Sequence, residues 1–298
     1  MKVEYVNLRQ QHLDLKEEIR DSLDKILESG NFILGEELKL FETRFSEYTG
    51  VKYAVGVANG TDALALALRV AGIKEGEVIV PINSFIASAG AIKQAGATPV
   101  FVDVKEDYLI NPDLIEEAIT DKTRAIMPVH LTGKPCDMER INEIAERRSL
   151  YVIEDAAQSA GASYKGKKTG NLGELGCFSL HPLKTLHCYG DGGIITTNDE
   201  DFFNQLLKLR NHGLKNRDEA EFFGVNSRLD EMQATIAKIY LKSLDSSNMQ
   251  RRKNASFYIN NLKNIEEIIY LPEEKEGEFS VYHTFVIQAE RRDELQAY

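Results

Sequence analysis

The chain has 298 residues, 43% of them apolar, and its 36 Lys and Arg stand against 47 Asp and Glu, which gives a net charge of -11. This length can bury one large core and part of a second, and the acidic balance argues against nucleic acid and anionic membranes as partners. Three cysteines without metal-ligand spacing indicate free thiols in a reducing compartment. Because the amino terminus lacks the apolar run of a signal peptide, we expect a cytoplasmic protein.

The amino-terminal region predicts two amphipathic helices, over residues 13–27 and 36–48, because apolar side chains recur there at helical spacing. From Tyr53 onward, short apolar runs alternate with helical stretches, which predicts a mainly parallel sheet with helices on both faces. The predicted strands are 53–58, 78–81, 99–104, 125–129 and 150–154, and the predicted helices begin at Thr61, Ser84 and Pro112 and cover 138–147. Sheets of this kind place their chemistry at the carboxyl ends of the strands.

The region after Tyr164 is rich in glycine, which is typical of tight turns near a ligand. Short strands are predicted within it at 177–180 and 194–197. From Asp199 the chain is predicted to be helical, through 229–244 and on to Leu262, and a last strand is expected at 284–287.

Three motifs follow predicted strands and carry the candidate chemistry. The run Asn59-Gly60-Thr61-Asp62 opens a helix, whose unpaired N–H groups can hold a phosphate, although simple helix capping explains the same residues. Asp155, in Glu154-Asp155, can pair with a protonated pyridine nitrogen; an acidic loop or a metal ligand is the alternative.

The third motif runs from Ser179 to Lys184, with Pro182 before the lysine. A lysine fixed in a turn can form a Schiff base with an aldehyde and later carry a proton. Most lysines are solvated surface residues, so the neighbouring motifs decide between the two interpretations.

Taken together and in this order, several motifs resemble the DegT/DnrJ/EryC1/StrS family of sugar aminotransferases. They are Phe32-Ile33-Leu34-Gly35, Asn59-Gly60-Thr61-Asp62, Pro128-Val129-His130-Leu131-Thr132-Gly133, Glu154-Asp155-Ala156-Ala157-Gln158, Lys184 and Gly224-Val225-Asn226-Ser227-Arg228-Leu229-Asp230. The resemblance implies the α/β fold of type I pyridoxal-phosphate (PLP) transferases, with a mainly parallel sheet flanked by helices. It also implies a large PLP-binding domain over 1–245 and the start of a smaller carboxyl-terminal domain over 246–298, which we expect to be truncated.

The same resemblance implies the roles of the cofactor-binding residues. Lys184 would form the Schiff base, Asp155 would pair with the ring nitrogen, and Gln158 would hydrogen-bond near the ring oxygen. The remaining cofactor contacts are implied for Gly60, Thr61, Asp62 and Ser179 at the phosphate, for Phe85 stacked on the ring, and for Asn226 reaching the phosphate from a neighbouring subunit. A homodimer with active sites at the subunit interface follows; for Phe85, a place in the core is the alternative.

Two further residues are candidates for substrate binding. His181 would contact substrate or satisfy a backbone group. Arg228 would hold a carboxylate or phosphate, or form a surface ion pair with Asp230 or Glu231. One departure from the family is the segment 185–189, which reads Thr-Leu-His-Cys-Tyr where Asn-Leu-Gly is common.

The implied function is transfer of an amino group from an amino acid, glutamate, to a nucleotide-linked keto-deoxyhexose in amino-sugar biosynthesis for a surface polysaccharide or antibiotic. Carbon 3 is slightly favoured over carbon 4, and no metal is expected. Three alternatives stay open: a PLP-dependent sugar dehydratase, whose relatives carry histidine at the lysine position, a sensor with the PLP fold, and a metal enzyme built on Glu154, Asp155 and His181.

Overall fold

The computed structural model describes residues 6–298. Residues 1–5, part of the amino-terminal pattern behind the cytoplasmic expectation, lie outside this range. The helices are α1 (Leu8–Ser29), α2 (Glu36–Thr49), α3 (Gly60–Val70), α4 (Ile86–Ala95), α5 (Pro112–Ala118), α6 (Met138–Arg148), α7 (Glu200–Leu209), α8 (Glu231–Leu241), α9 (Leu244–Leu262) and α10 (Arg292–Ala297). Within 6–298, none of them is long and apolar enough to cross a membrane.

Strands alternate with these helices through the first two thirds of the chain. They are β1 (Tyr53–Val57), β2 (Glu77–Pro81), β3 (Thr98–Val102), β4 (Thr123–Ile126), β5 (Tyr151–Asp155), β6 (Ser163–Tyr164), β7 (Lys167–Lys168), β8 (Leu175–Ser179), β9 (Gly193–Thr197), β10 (Leu214–Asn216), β11 (Glu219–Ala220), β12 (Ile268–Tyr270), β13 (Glu278–Phe279) and β14 (Gln288–Ala289).

Seven strands form the central sheet, in the order β1-β9-β8-β5-β4-β2-β3. Strand β9 runs antiparallel to both of its neighbours, and the other pairs are parallel. The predicted mainly parallel sheet is therefore confirmed. Its inner strands are almost wholly buried, as expected for a sheet covered on both faces.

Three apolar clusters cover the sheet. One joins α3, α4 and α7 to residues such as Val55 and Ile153, a second joins α1, α2 and α8 around Phe45 and Phe178, and a third packs α5 and α6 on β2, β4 and β5. Helix α2 is also fixed to α8 by a carboxylate, because Glu231 accepts hydrogen bonds from the N–H groups of Gly35, Glu37 and Leu38 at 2.8 to 3.1 Å. This interaction supplies the negative charge that a helix amino terminus favours.

The direction of the strands brings the sequence motifs to one edge. Strands β1, β5 and β8 all point the same way, since β5 is parallel to β8 and β9 is antiparallel to both β8 and β1. The segments that follow them therefore meet at the carboxyl edge of the sheet, where this class of fold binds its ligands.

Some predicted elements differ from the structure. The strand expected at 284–287 is not formed, because this segment is tied to a turn: Thr284 N–H donates to the Thr132 carbonyl at 3.4 Å. The expected helix after Asp199 is interrupted by a β10–β11 hairpin. A side chain at Gly213 would approach the Phe222 carbonyl oxygen to 1.9 Å, which explains why the chain turns at a glycine here.

The carboxyl-terminal part of the chain packs against the central region. Strand β13 pairs with β6 to form a three-stranded sheet with β7, and α9 begins at Leu244. The expected boundary after residue 245 stays a prediction.

Candidate active site

Lys184 lies in a turn within the loop 180–192, which connects β8 to β9. Its N–H donates to the His181 carbonyl at 2.8 Å, and its own carbonyl lies 3.2 Å from Nδ1 of His187. The side chain is half-buried and lines a cavity of about 500 Å³. The turn therefore fixes the backbone of the lysine while its amine reaches an open space.

Asp155 ends β5 and is 5% exposed. Its Oδ2 accepts a hydrogen bond from the Ser88 hydroxyl at 2.7 Å, and its Oδ1 accepts one from the Ala157 N–H at 3.2 Å. Burial raises the pKa of the carboxyl, whereas these hydrogen bonds and the charge of Lys184 act in the opposite direction. An ionised Asp155 consequently needs a cation beside it.

Asp155 and Lys184 lie within electrostatic reach of each other. Burial lowers the pKa of the Lys184 amine, and the Asp155 carboxylate opposes that shift. A half-buried amine with a lowered pKa is more often neutral and nucleophilic than a solvated lysine. Perturbed groups that lie within electrostatic reach of each other are typical of a catalytic site.

The amino terminus of α3 forms the other end of the site. Asn59 accepts hydrogen bonds from Asp62 N–H through its side chain and from Ala63 N–H through its carbonyl. The N–H groups of Gly60 and Thr61 donate to no residue within 6–298. They remain available for an anion such as a phosphate.

Gly60 packs directly on Ser179, the last residue of β8. A Cβ at position 60 would lie 2.7 Å from the Ser179 Cβ, so only glycine allows this approach. The Asp62 carboxylate accepts a hydrogen bond from the Ser227 hydroxyl at 2.6 Å. The predicted phosphate-site residues 60, 61, 62 and 179 are thus close together in the fold, although Asp62 faces Ser227.

Gln158 and Phe85 occupy positions at the same edge of the sheet. The Gln158 Oε1 accepts a hydrogen bond from the Thr132 N–H at 2.8 Å. The Nε2 of the same amide is therefore the atom that would donate a hydrogen bond to a ligand. Phe85, directly before α4, is 71% exposed. The core alternative for Phe85 does not hold in this structure, and its ring is available to cover a flat ligand.

The other three candidate residues differ in their exposure and in their hydrogen-bond partners. His181 is exposed, and its Nδ1 accepts the Leu183 N–H at 3.3 Å. Arg228 donates to the Asn211 Oδ1 at 2.9 Å rather than to Asp230 or Glu231. Asn226 is exposed beside the buried Ser227.

Glu154, the carboxylate next to Asp155, has a structural role. It is fully buried and accepts hydrogen bonds from the N–H groups of Gly170, Leu172 and Gly173 at 2.7 to 2.8 Å. His130 donates its Nε2–H to the same carboxylate at 2.9 Å, since its Nδ1 accepts the Cys136 N–H. Glu154 therefore holds the glycine-rich loop, and within residues 6–298 no group of three His, Cys, Asp or Glu is placed to bind a metal.

Sequence reasoning missed several residues around this site. Ser88 supports Asp155 from the first turn of α4, and its position three residues after Phe85 was the available signal. Arg251 and His283 line the cavity of Lys184. They come from distant parts of the chain, and no local motif marks them.

A half-buried lysine, a buried carboxylate within its reach and a helix amino terminus that can hold a phosphate define the class of PLP-dependent transferases. A family model described as the DegT/DnrJ/EryC1/StrS aminotransferase family matches residues 13–298. The chain belongs to this family. The family, fold class and cofactor expected from the sequence are thereby confirmed.

Two relatives of the chain have different names, one a transaminase and one a regulatory protein. The chain is 47% identical to a dTDP-3-amino-3,6-dideoxy-alpha-D-galactopyranose transaminase of Aneurinibacillus thermoaerophilus, over 99% of this chain and 82% of that protein. It is 44% identical to a "pleiotropic regulatory protein" of Geobacillus stearothermophilus, over 100% of this chain and 81% of that protein.

Solved structures agree with the fold. DesV of S. venezuelae, in complex with a ketimine intermediate, is 43% identical and superposes with a TM-score of 0.97 over 99% of this chain and 80% of its own. The Bacillus subtilis protein ntda, with bound cofactor pmp, is 34% identical with a TM-score of 0.91 over 99% of this chain and 68% of its own.

Proposed function

We propose that the chain is a PLP-dependent aminotransferase that moves an amino group from glutamate to a nucleotide-linked keto-deoxyhexose, in the biosynthesis of an amino sugar for a surface polysaccharide or antibiotic. One observation carries the proposal: a lysine with a lowered pKa and a buried carboxylate lie within electrostatic reach at the carboxyl edge of the sheet. The whole-chain similarity to a sugar transaminase supports the substrate class.

Each candidate residue has a task in this reaction. Asp155, held by Ser88 and Ala157, would pair with the protonated ring nitrogen, and the Lys184 amine would hold the cofactor. Gly60 and Thr61 would bind its phosphate, with Asp62 and Ser179 beside them. Gln158 would contact the ring oxygen, Phe85 would cover the ring face, and His181 and Arg228 would contact the substrate.

When bound, pyridoxal phosphate supplies an electron-poor ring that accepts the electron pair released at the substrate carbon. The protein supplies the proton transfer. Burial lowers the pKa of the Lys184 amine, and Nζ would take a proton from one carbon and return it to another site. The negative charge of Asp155 would stabilise the positive ring nitrogen.

The proposal also includes the acceptor carbon, the oligomeric state and the cellular location. Carbon 3 of the hexose is the acceptor position, in keeping with the name of the Aneurinibacillus relative. The active form is a homodimer, in which the exposed Asn226 reaches the phosphate of the neighbouring subunit. The protein acts in the cytoplasm, where its three buried free cysteines remain reduced.

The direct test compares Lys184→Ala with the wild-type protein. The variant is expected to lose the visible absorbance band of the covalently held cofactor and the formation of 2-ketoglutarate from glutamate. Lys39→Ala, at an exposed position on α2, is the control and should retain both.

The outcome also separates the alternatives. A wild-type protein that shows the band but forms no 2-ketoglutarate with any nucleotide-linked keto-sugar would be a sensor. A band that persists in Lys184→Ala would show that the lysine assignment is wrong.

A further inference from the structure

The segment 185–189, which departs from the pattern common in the family, follows Lys184 directly in the loop between β8 and β9. Residues 185–188 are all buried, although they lie in a loop. The side chain of His187 is only 5% exposed, and a polar side chain this deep is expected to make a specific hydrogen bond. Its partner therefore indicates what the segment contributes to the site.

The partner of His187 is the main chain of the lysine. Its Nδ1 lies 3.2 Å from the Lys184 carbonyl oxygen, and because a carbonyl can only accept, Nδ1 carries the proton and donates the hydrogen bond. Burial lowers the pKa of His187, so the ring is neutral near pH 7. Since the Lys184 N–H donates to the His181 carbonyl at 2.8 Å, both main-chain polar groups of the lysine are bonded within its own loop.

Helix α8 in turn holds the imidazole and the end of the segment. The His187 ring lies against Tyr240, with 4.1 Å between the ring centroids and 40° between the ring planes. The main chain of Tyr189 exchanges two hydrogen bonds with the Gln233 side chain, at 2.9 and 3.3 Å, and its hydroxyl lies 2.9 Å from that of Tyr240. Gln233 and Tyr240 lie about two helical turns apart on one face of α8, so the segment is anchored to a helix that packs in the core.

We propose that His187 is a positioning residue for Lys184: the hydrogen bond from its Nδ1 to the Lys184 carbonyl fixes the direction in which the lysine side chain leaves the main chain toward the cofactor. The inference rests on the proposed function, because it concerns the amine that would hold the cofactor. In this role, His187 acts only through Lys184. In the common Asn-Leu-Gly pattern a glycine would stand at position 187, and it has no side chain that could form this bond.

The direction of the side chain matters because a lysine is long and flexible. Its amine must reach one carbon of the cofactor and later exchange a proton with another atom, and a misplacement of about 1 Å can reduce a rate by about a hundredfold. A main chain held at both its N–H and its carbonyl presents the side chain from one fixed origin. Loss of the His187 donor should therefore reduce the rates at Lys184 and have little effect on the KM of either substrate.

Four variants separate this hydrogen bond from the packing of the ring. His187→Asn keeps an N–H donor close to the position of Nδ1 and loses the ring, whereas His187→Phe keeps a ring and loses the donor. His187→Leu also lacks the donor, and it covers the case in which the larger phenylalanine disturbs the fold. Tyr240→Phe is the matched control, because it removes only the hydroxyl that contacts Tyr189 and leaves both the ring beside His187 and the donor in place.

The first readout is the rate at which the visible absorbance band appears after pyridoxal phosphate is added to the apoprotein, because it reports the reaction of the Lys184 amine without turnover. This rate should fall by about tenfold in His187→Phe and His187→Leu, and it should stay within about threefold of wild type in His187→Asn and Tyr240→Phe. The second readout is kcat for transamination, which should follow the same order while the KM values for glutamate and the nucleotide sugar change by less than about threefold. Thermal unfolding of each apoprotein measures its stability.

The outcomes distinguish positioning from a purely structural role. Wild-type rates in His187→Phe and His187→Leu, or rates in the four variants that follow their melting temperatures rather than the presence of the donor, would overturn the inference. A band that depends on the donor in a protein that forms no 2-ketoglutarate would instead overturn the transaminase function and support the positioning role. A wild-type protein that forms no band would overturn both, because Lys184 would then hold no cofactor.

Discussion

The two central residues are held in an environment that disfavours their charges. Burial lowers the pKa of Lys184 and raises that of Asp155, and each is only partly compensated by the other. Without a ligand, burial of the Asp155 carboxylate away from water therefore lowers the stability of the folded protein. A positively charged ring nitrogen beside Asp155 would remove that cost, which is a physical reason for the cofactor to bind here.

Replacement of Asp155 by Asn tests this cost in the protein without cofactor. The pKa of Asp155 is raised in the folded state, so ionisation destabilises the fold as the pH increases above the ordinary value for Asp, and the loss is complete above the raised pKa. Asp155→Asn should therefore melt about 2 °C or more above the wild-type apoprotein near neutral pH. The difference should shrink as the pH falls toward the ordinary pKa of Asp.

The same variant should bind cofactor poorly. Loss of the carboxylate removes the partner of the ring nitrogen, and we expect transaminase activity to fall by about a hundredfold or more. Differential scanning calorimetry with and without cofactor measures the stability and the cofactor binding, and formation of 2-ketoglutarate from glutamate measures the activity. An apoprotein variant less stable than wild type at every pH would contradict the account.

Two neighbouring carboxylates at the end of β5 have different tasks. Glu154 and Asp155 are adjacent carboxylates, yet Glu154 accepts four hydrogen bonds from the loop and His130 and has no open side. Asp155 lies within electrostatic reach of Lys184 instead. Strand alternation explains the difference, since successive side chains point to opposite faces.

At the scale of elements, the α3 amino terminus and the end of β8 form one unit. Gly60 allows the two backbones to approach, and a Cβ there would lie 3.1 Å from the Ser179 Cα. The position of the free N–H groups of Gly60 and Thr61 depends on this contact. The affinity for a phosphate should therefore respond to a single added methyl group.

Gly60→Ala tests this contact. The methyl group forces α3 and Ser179 apart, and overpacking of this kind costs about 1 to 3 kcal/mol. The cofactor affinity should weaken by roughly tenfold, measured by titration of the apoprotein. Gly90→Ala is the matched control, because a Cβ at that helical position meets nothing within 4 Å, and an unchanged affinity in Gly60→Ala would show that this contact does not shape the site.

The long elements could be predicted from the sequence, and the short ones could not. Strands β2 and β5 contain apolar runs bounded by turns, so composition identifies them. Strands β6, β7 and β11 have two residues each, too few for any period. Their pairing is decided by tertiary contacts, such as that between β6 and β13.

The candidate site was also predictable only in part. Asp155, Ser179 and Gly60 stand at strand ends or helix starts, where topology brings them together. Arg251 and His283 come from α9 and from an irregular segment after β13. They reach Lys184 only because the carboxyl-terminal region folds back over the sheet edge, and neither residue lies in a local motif.

At the scale of the whole molecule, two parts of the chain meet around Lys184. The sheet and α3 supply Asp155 and the proposed phosphate-binding end, while α9 and the segment around His283 line the cavity of Lys184. The amino-terminal helix α1 also contributes, through Leu8 and Gln11. We predict that all of these regions surround one cofactor, which is bound covalently at Lys184.

Reduction of the holoenzyme with borohydride, followed by digestion and mass spectrometry, tests this claim most directly. The reagent makes the bond between the cofactor and its amine permanent. We expect the added mass on the peptide that contains Lys184 and on no other lysine peptide. Cofactor attached at a different lysine, or none attached while transaminase activity persists, would contradict the account.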